Sequence, residues 1–106
     1  MICNLKSYQT YEEMIKYKEY FIKIKEENIN LILAPSNIYL PLFKNDNIKL
    51  AVQDLSLNES LNLTGDIKIN QLKSLNVSYA IIGHYERRKY YKETEYEILE
   101  KIKSAF

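Results

Sequence analysis

One cysteine, Cys3, rules out an internal disulfide, and nothing in the composition points to an oxidising compartment. Charge of one sign is also missing: 15 basic side chains face 14 acidic ones, a net of +1, so no field exists that would hold a nucleic acid or an anionic membrane. A phosphate bound here has to be small and local. No long apolar run exists either. The longest, Leu31 to Phe43, is interrupted by Pro35, Ser36, Asn37 and Pro41, and the N-terminus lacks a basic segment followed by an apolar one. A membrane span and an export signal are therefore not expected, and the cytoplasm is the default location. Linkers, low-complexity segments and residue-level repeats are absent too.

What remains is ordinary for a folded domain: 46% apolar and 27% charged residues over a length of 106, enough for one core and too short for two. We read residues 1–106 as a single domain. Short apolar runs at Met1 to Cys3, Leu31 to Ala34, Leu50 to Val52 and Tyr79 to Ile82 read as strands. They are nearly continuous in apolar character, which suits strands covered on both faces in a parallel sheet.

Amphipathic stretches lie between the strands. Thr10 with Glu13 forms a capping box ahead of a stripe made by Tyr11, Met14, Ile15, Tyr17, Phe21, Ile22 and Ile24. Thr94 with Glu97 opens a last helix that runs to the final residue, its buried side expected at Ile98, Leu99, Ile102, Ala105 and Phe106. Ile38 to Phe43 and Ile67 to Leu75 read as short helices. Strand followed by helix, four times over, predicts a right-handed α/β arrangement of adjacent parallel strands. It fits a small open sheet or one half of an eight-stranded barrel, and composition does not separate the two.

Rare residue types mark the chemistry. The only histidine, both arginines and one of two glycines fall in Gly83-His84-Tyr85-Glu86-Arg87-Arg88, directly after the fourth apolar run and so at the carboxyl end of a strand, where parallel α/β folds place ligands. Gly83 allows a sharp turn. If a short helix begins at His84, its amide dipoles favour a neutral ring able to donate a hydrogen bond to a carbonyl. The first strand ends in Asn4-Leu5-Lys6, on the same rim if the strands are parallel. Lysine makes up 13 of the 15 basic residues, yet Lys6 at this place is a candidate to hold an anionic substrate. Gln53-Asp54 at the third strand end and Thr64-Gly65-Asp66 are open to plain capping and turn chemistry.

These segments together resemble the triosephosphate isomerase family. Asn4-Leu5-Lys6 is similar to the family's Asn-Trp-Lys, Ala34-Pro35 with Tyr39-Leu40 to its second strand and helix, Ala51-Val52-Gln53-Asp54 to its Ala-Gln-Asn, and Thr64-Gly65-Asp66 to its Thr-Gly-Glu. Ile81-Ile82-Gly83-His84-Tyr85-Glu86-Arg87-Arg88 resembles Ile-Ile-Gly-His-Ser-Glu-Arg-Arg, the most specific of the set. The resemblance implies the N-terminal (βα)4 half of a (β/α)8 barrel that interconverts dihydroxyacetone phosphate and glyceraldehyde 3-phosphate, in glycolysis and gluconeogenesis, with no metal or organic cofactor. It implies that Lys6 offsets substrate charge, Asn4 binds near the same oxygen, neutral His84 polarises the carbonyl and the enediolate, and Glu86 supports the lysine. The family is itself the standard example of a histidine kept neutral beside a glutamate base, so this role is inherited from the resemblance. It also implies a homodimer in which Thr64 reaches the partner's site, with Gln53 in support and Arg87 and Glu93 paired structurally.

Departures accompany the match: Tyr85 replaces a small serine, Leu5 replaces tryptophan, Ser7-Tyr8 differs from the usual pair, and a start at Met1 leaves a very short first strand. This barrel typically takes about 250 residues. The family's base glutamate, closing lid and phosphate loops would lie beyond Phe106, so the expectation is a chain inactive alone and completed by a C-terminal half. The alternative is a non-catalytic half-barrel module that self-associates through its open strand edges.

Overall fold

In a computed structural model, residues 1–57 and 60–106 are described. Four strands, β1 (Ile2–Asn4), β2 (Ile32–Ala34), β3 (Lys49–Val52) and β4 (Val77–Ala80), pair in sequence order and all in parallel. Between and after them lie α1 (Tyr11–Glu26), a 3₁₀ helix (Asn37–Phe43), α2 (Ile69–Ser74), α3 (Tyr85–Tyr90) and α4 (Glu95–Ala105). This is the strand-helix alternation that the sequence predicts, in the topology of half a barrel. The fourth helical unit is split in two, because α3 ends at Tyr90 and Lys92 turns the chain at φ +56°.

Each element has a local cause. The Thr10 hydroxyl accepts the Glu13 amide hydrogen while the Glu13 carboxylate takes the Thr10 amide, so both halves of the expected capping box are present at the start of α1. At α4 Thr94 accepts from the Glu97 amide. Pro41 denies its turn an amide donor, and the segment around it winds as 3₁₀ rather than α. On the rim at the strands' amino ends three asparagines, Asn28, Asn47 and Asn76, take left-handed φ values of 60°, 52° and 60°. Each releases the chain from a helix or turn into the next strand, and asparagine tolerates that conformation better than most side chains.

The core is built from Met14 and Phe21 of α1, Leu40 and Phe43 of the 3₁₀ helix, Leu33 and Leu50 of the central strands, and Leu55, Leu72 and Val77. Phe21 meets Phe43 edge-on at 6.3 Å between centroids. Burying each such side chain contributes about 1.5–3 kcal/mol. In β2 and β3 successive residues are buried, and since these point to opposite faces, both faces are covered.

At the edges the expectation of two-sided cover fails. Ile2 of β1 and Ser78 and Tyr79 of β4 are exposed, because neither strand has an outer neighbour. The same cause trims the helices. Of the stripe expected on α1 only Met14 and Phe21 are fully buried, and Tyr11, Ile15 and Tyr17 are exposed. On α4 the buried residues are Ile98 and Lys101, whereas Leu99, Ile102, Ala105 and Phe106 face outward. A further difference lies in β4. Leu50 pairs with Val77 but Ala51 with Tyr79, leaving Ser78 as an extra residue, and the ladder starts two residues earlier than predicted. Ile81 still donates to the Val52 carbonyl at 2.9 Å, so the glycine-histidine segment leaves directly from the sheet.

Candidate active site

The end of β1 is held in an unusual conformation. Lys6 has φ +54°, a left-handed value that an L-residue with a long side chain adopts at a cost of about 1 kcal/mol. Three contacts hold it there: its amide donates to Asn4 Oδ1 at 3.0 Å, its carbonyl accepts from Gln53 Nε2 at 2.8 Å, and Leu5 before it donates to the Ala34 carbonyl at 3.0 Å. Gln53 Nε2 also donates to the Ala34 carbonyl at 3.0 Å, so one amide from the end of β3 fastens the ends of β1 and β2. Gln53, open to a plain turn role in the sequence, is a tie between strand ends.

The strained turn aims the lysine across the rim. Lys6 Nζ lies 2.7 Å from Glu86 Oε1. The Glu86 hydrogen bond and charge raise the lysine above its usual range, and the Lys6 hydrogen bond, against some burial, holds the Glu86 carboxyl below its own. Both are ionised at neutral pH. The ammonium has three donors and Glu86 occupies one.

His84 is the N-cap residue of α3, and its Nδ1 accepts the Glu86 amide hydrogen at 3.2 Å. A nitrogen that accepts an amide hydrogen carries no proton itself, so a neutral ring holds its hydrogen on Nε2 and offers it as a donor. The Glu86 carboxylate also approaches Nδ1, to 3.7 Å, a contact that would count as an ion pair only for a charged ring. The shorter amide bond decides for the acceptor form.

Asn4, Lys6, His84, Glu86, Gln53 and Arg87 share one cleft of about 220 Å³ at the strands' carboxyl ends. Larger hollows of about 360 and 380 Å³ open on the opposite rim, among Lys25, Lys44, Lys49 and several asparagines. Neither brings a carboxylate, an ammonium and an imidazole together, so chemistry rather than size selects the cleft.

Behind the cleft sits a charged cluster. Arg87 meets Asp54 at 3.2 Å and Glu93 at 3.7 Å, and Lys101, only 5% exposed, reaches Asp54 at 2.8 and 3.0 Å and Glu93 at 2.9 Å. Burial works to push the Lys101 ammonium down, but hydrogen bonds to Asp54 and Glu93 outweigh it and hold the group above its usual range. Two positive and two negative groups balance. The expected Arg87–Glu93 pairing is therefore the longest contact of a larger set, which also takes in Asp54, open to plain capping in the sequence, and Lys101, which motif reading passed over. The available signal was Lys101 itself, three residues after Ile98 and so on the same helix face. Thr64 is not brought to the cleft; it lies in an exposed turn that Gly65 completes at φ +87°. Tyr85, at the expected serine position, is largely exposed, with the Lys89 ammonium 5.6 Å from its ring centroid.

A parallel β/α sheet with its polar groups converging at the strands' carboxyl ends defines the class: an α/β protein of four strand-helix units in the arrangement of half a β/α barrel. The sequence model of the triosephosphate isomerase family matches residues 1–106, and the chain belongs to that family. It is 37% identical over 108 residues to a triosephosphate isomerase of Clostridium tetani, covering 97% of this chain and 42% of that protein. Similar proteins of the same name in Clostridium acetobutylicum, at 36%, and Dictyoglomus thermophilum, at 38%, are each matched over 97% of this chain and 44% of their own length. The chain thus spans less than half the length of these relatives.

Proposed function

We propose that this chain supplies the electrophilic half of a triosephosphate isomerase site, interconverting dihydroxyacetone phosphate and glyceraldehyde 3-phosphate when a second segment completes it. The observation that carries this reading is the neutral-donor geometry of His84 beside the Lys6–Glu86 pair. The Nε2–H of His84 donates to the carbonyl oxygen and stays with it as charge develops in the enediolate, a fixed donor that needs no reorganisation. The two spare Lys6 donors offset substrate charge. Asn4, whose Oδ1 is spent on the Lys6 amide, lines the same cleft and keeps its NH₂ as a donor. This reading uses no metal and no organic cofactor.

The cleft carboxylates leave the proton step to another segment. Glu86 is committed to Lys6, and Asp54 to Lys101 and Arg87. A base free to take a proton at the substrate carbon is not among the described residues of the cleft, which supports completion by a C-terminal half. We further propose a cytoplasmic location, and a homodimer in which Thr64 reaches the partner's cleft; the exposed turn at Thr64 supports the second point. Among the described residues no helix is long and apolar enough to cross a membrane.

The test is turnover of glyceraldehyde 3-phosphate by purified chain, alone and mixed with the C-terminal portion of the Clostridium tetani relative. We expect no turnover from either alone and turnover from the mixture, abolished by His84→Gln. Turnover by this chain alone, or an active mixture indifferent to His84→Gln, would overturn the reading. The exposed apolar residues Leu99 and Ile102 on α4 and Phe106 just after it favour a second reading, a self-associating half-barrel without catalysis. A cooperative dimer in sedimentation, with no triose phosphate binding and an inactive mixture, would establish that instead.

A further inference from the structure

Neighbouring arginines on a helix point about 100° apart, so the pair Arg87-Arg88 cannot serve one partner. Arg87 joins the acidic cluster. Arg88 has no carboxylate partner among the described residues; its Nε donates to the carbonyl of Gly83 at 2.8 Å, five residues back along the chain. We propose that Arg88 is a positioning residue for His84, setting the direction of the imidazole through the Gly83 carbonyl.

The Gly83 carbonyl and the His84 amide belong to one rigid peptide plane. Holding that oxygen fixes the orientation from which the His84 side chain departs. Gly83 turns at φ +71°, so this plane sits in a conformation that most residues avoid. The room around it is closed on two sides. A Cβ on Gly83 would meet Arg88 Nη2 at 3.0 Å and the Ile98 side chain at 3.2 and 3.3 Å. The turn is thus gripped between the guanidinium of α3 and a buried isoleucine of α4. Glycine is required there for space as well as for φ. From this held plane His84 caps α3, and its Nδ1 meets the Glu86 amide. The chain of constraint runs from Arg88 to the Gly83 carbonyl, to the His84 backbone, to the Nδ1 bond that leaves the hydrogen on Nε2. Arg88 touches neither the ring nor the cleft, whose lining includes Arg87 but not Arg88.

The inference deepens the reading of His84 as a donor, but its test does not need catalysis. His84 is the only histidine, so one set of imidazole nitrogen resonances reports it without ambiguity. In the wild-type chain the ring is expected as a single Nε2–H tautomer, with the Glu86 amide protected from exchange. In Arg88→Met, with circular dichroism confirming the fold, we expect a tautomer mixture and Glu86 amide exchange faster by about tenfold, the scale of one lost hydrogen bond from a charged donor. Arg88→Lys, which keeps a donor but loses the planar fork, should recover most of the wild-type signature. A folded Arg88→Met with the wild-type tautomer and unchanged Glu86 protection would overturn the proposal. Should Arg88→Met fail to fold, the wild-type Arg88 Nε–H decides: slow exchange of that proton with a scalar coupling across the hydrogen bond to the Gly83 carbonyl carbon supports the clamp, and free rotation with fast exchange overturns it. A wild-type ring bearing its hydrogen on Nδ1 would overturn the donor reading itself, a separate result from failure of the clamp.

Discussion

Lys6 and Glu86 form a pair whose two members respond to pH in opposite directions. The Glu86 carboxyl is held below its usual 4.5, so what it contributes is complete above that value and is lost as pH falls through the lowered one. Lys6 is held above its usual 10.5, so its share is present below that value and is lost only as pH rises through the raised one. Together they stabilise the rim between these limits. Both groups are half exposed, so the effect on global stability is modest and falls with salt. Comparing wild type with Glu86→Gln by thermal melting at low salt, we expect a small advantage for wild type at neutral pH that is lost on the acid side of the ordinary carboxylate value, as pH falls through the lowered range of Glu86. An advantage that persisted in acid would show that Glu86 acts by packing and not by charge.

At the scale of elements, the buried cluster joins the end of β3 to α3, α4 and the turn between them through Asp54, Arg87, Glu93 and Lys101. Replacing Lys101 strands Glu93, whose carboxylate lies almost out of reach of water, and takes from Asp54 its closest cation. Lys101→Met is expected to lower stability by about 3–5 kcal/mol, because two carboxylates then share a single arginine. Urea unfolding measures this, and adding Asp54→Asn to the same chain should recover part of the loss.

The cluster also shows where sequence reading stops. The capping residues Thr10 and Thr94 and the first three apolar runs are legible because each depends on neighbours within a few positions, whereas Lys6 and His84, far apart in the chain, come to one rim only through the parallel order of the strands and the family motifs. Lys101 is not legible, since nothing local separates a buried lysine from the other twelve, and its partners lie 8 and 47 positions away. The α4 stripe misled for a related reason. Periodicity names an apolar face, but only the presence of a neighbouring element decides whether that face is covered. Gln53 shows a third limit, because a residue that fastens two other strands carries no mark of it in its own segment.

For the whole molecule the sheet order has a direct energetic meaning. Two inner strands are paired on both sides and two outer ones on one side only, and the outer ones carry the exposed apolar residues Ile2 and Tyr79. Together with Leu99 and Ile102 on α4 and Phe106 just after it, these invite association. Replacing Ile102 and Phe106 by glutamate should reduce binding of an apolar dye and concentration-dependent association, while leaving the melting temperature of the isolated chain nearly unchanged, since neither side chain belongs to the core. A large drop in melting temperature would mean that these residues already pack within this chain.

The two rims of the sheet obey different rules of tolerance. The left-handed positions at the strands' carboxyl ends include Lys6 and Gly83, where one residue supplies a charge and the other leaves space. On the opposite rim they belong to Asn28, Asn47 and Asn76; the first two serve the backbone and could be exchanged for glycine at little expense, whereas Asn76 also donates from its side chain to the Lys44 carbonyl at 3.4 Å. That rim is therefore the natural handle of the molecule. A dye, a surface tether or an inserted peptide attached near Asn28 or Asn47 would sit at the far end of the strands from the imidazole, so the protein can be observed or immobilised without disturbing the cleft it is meant to report on.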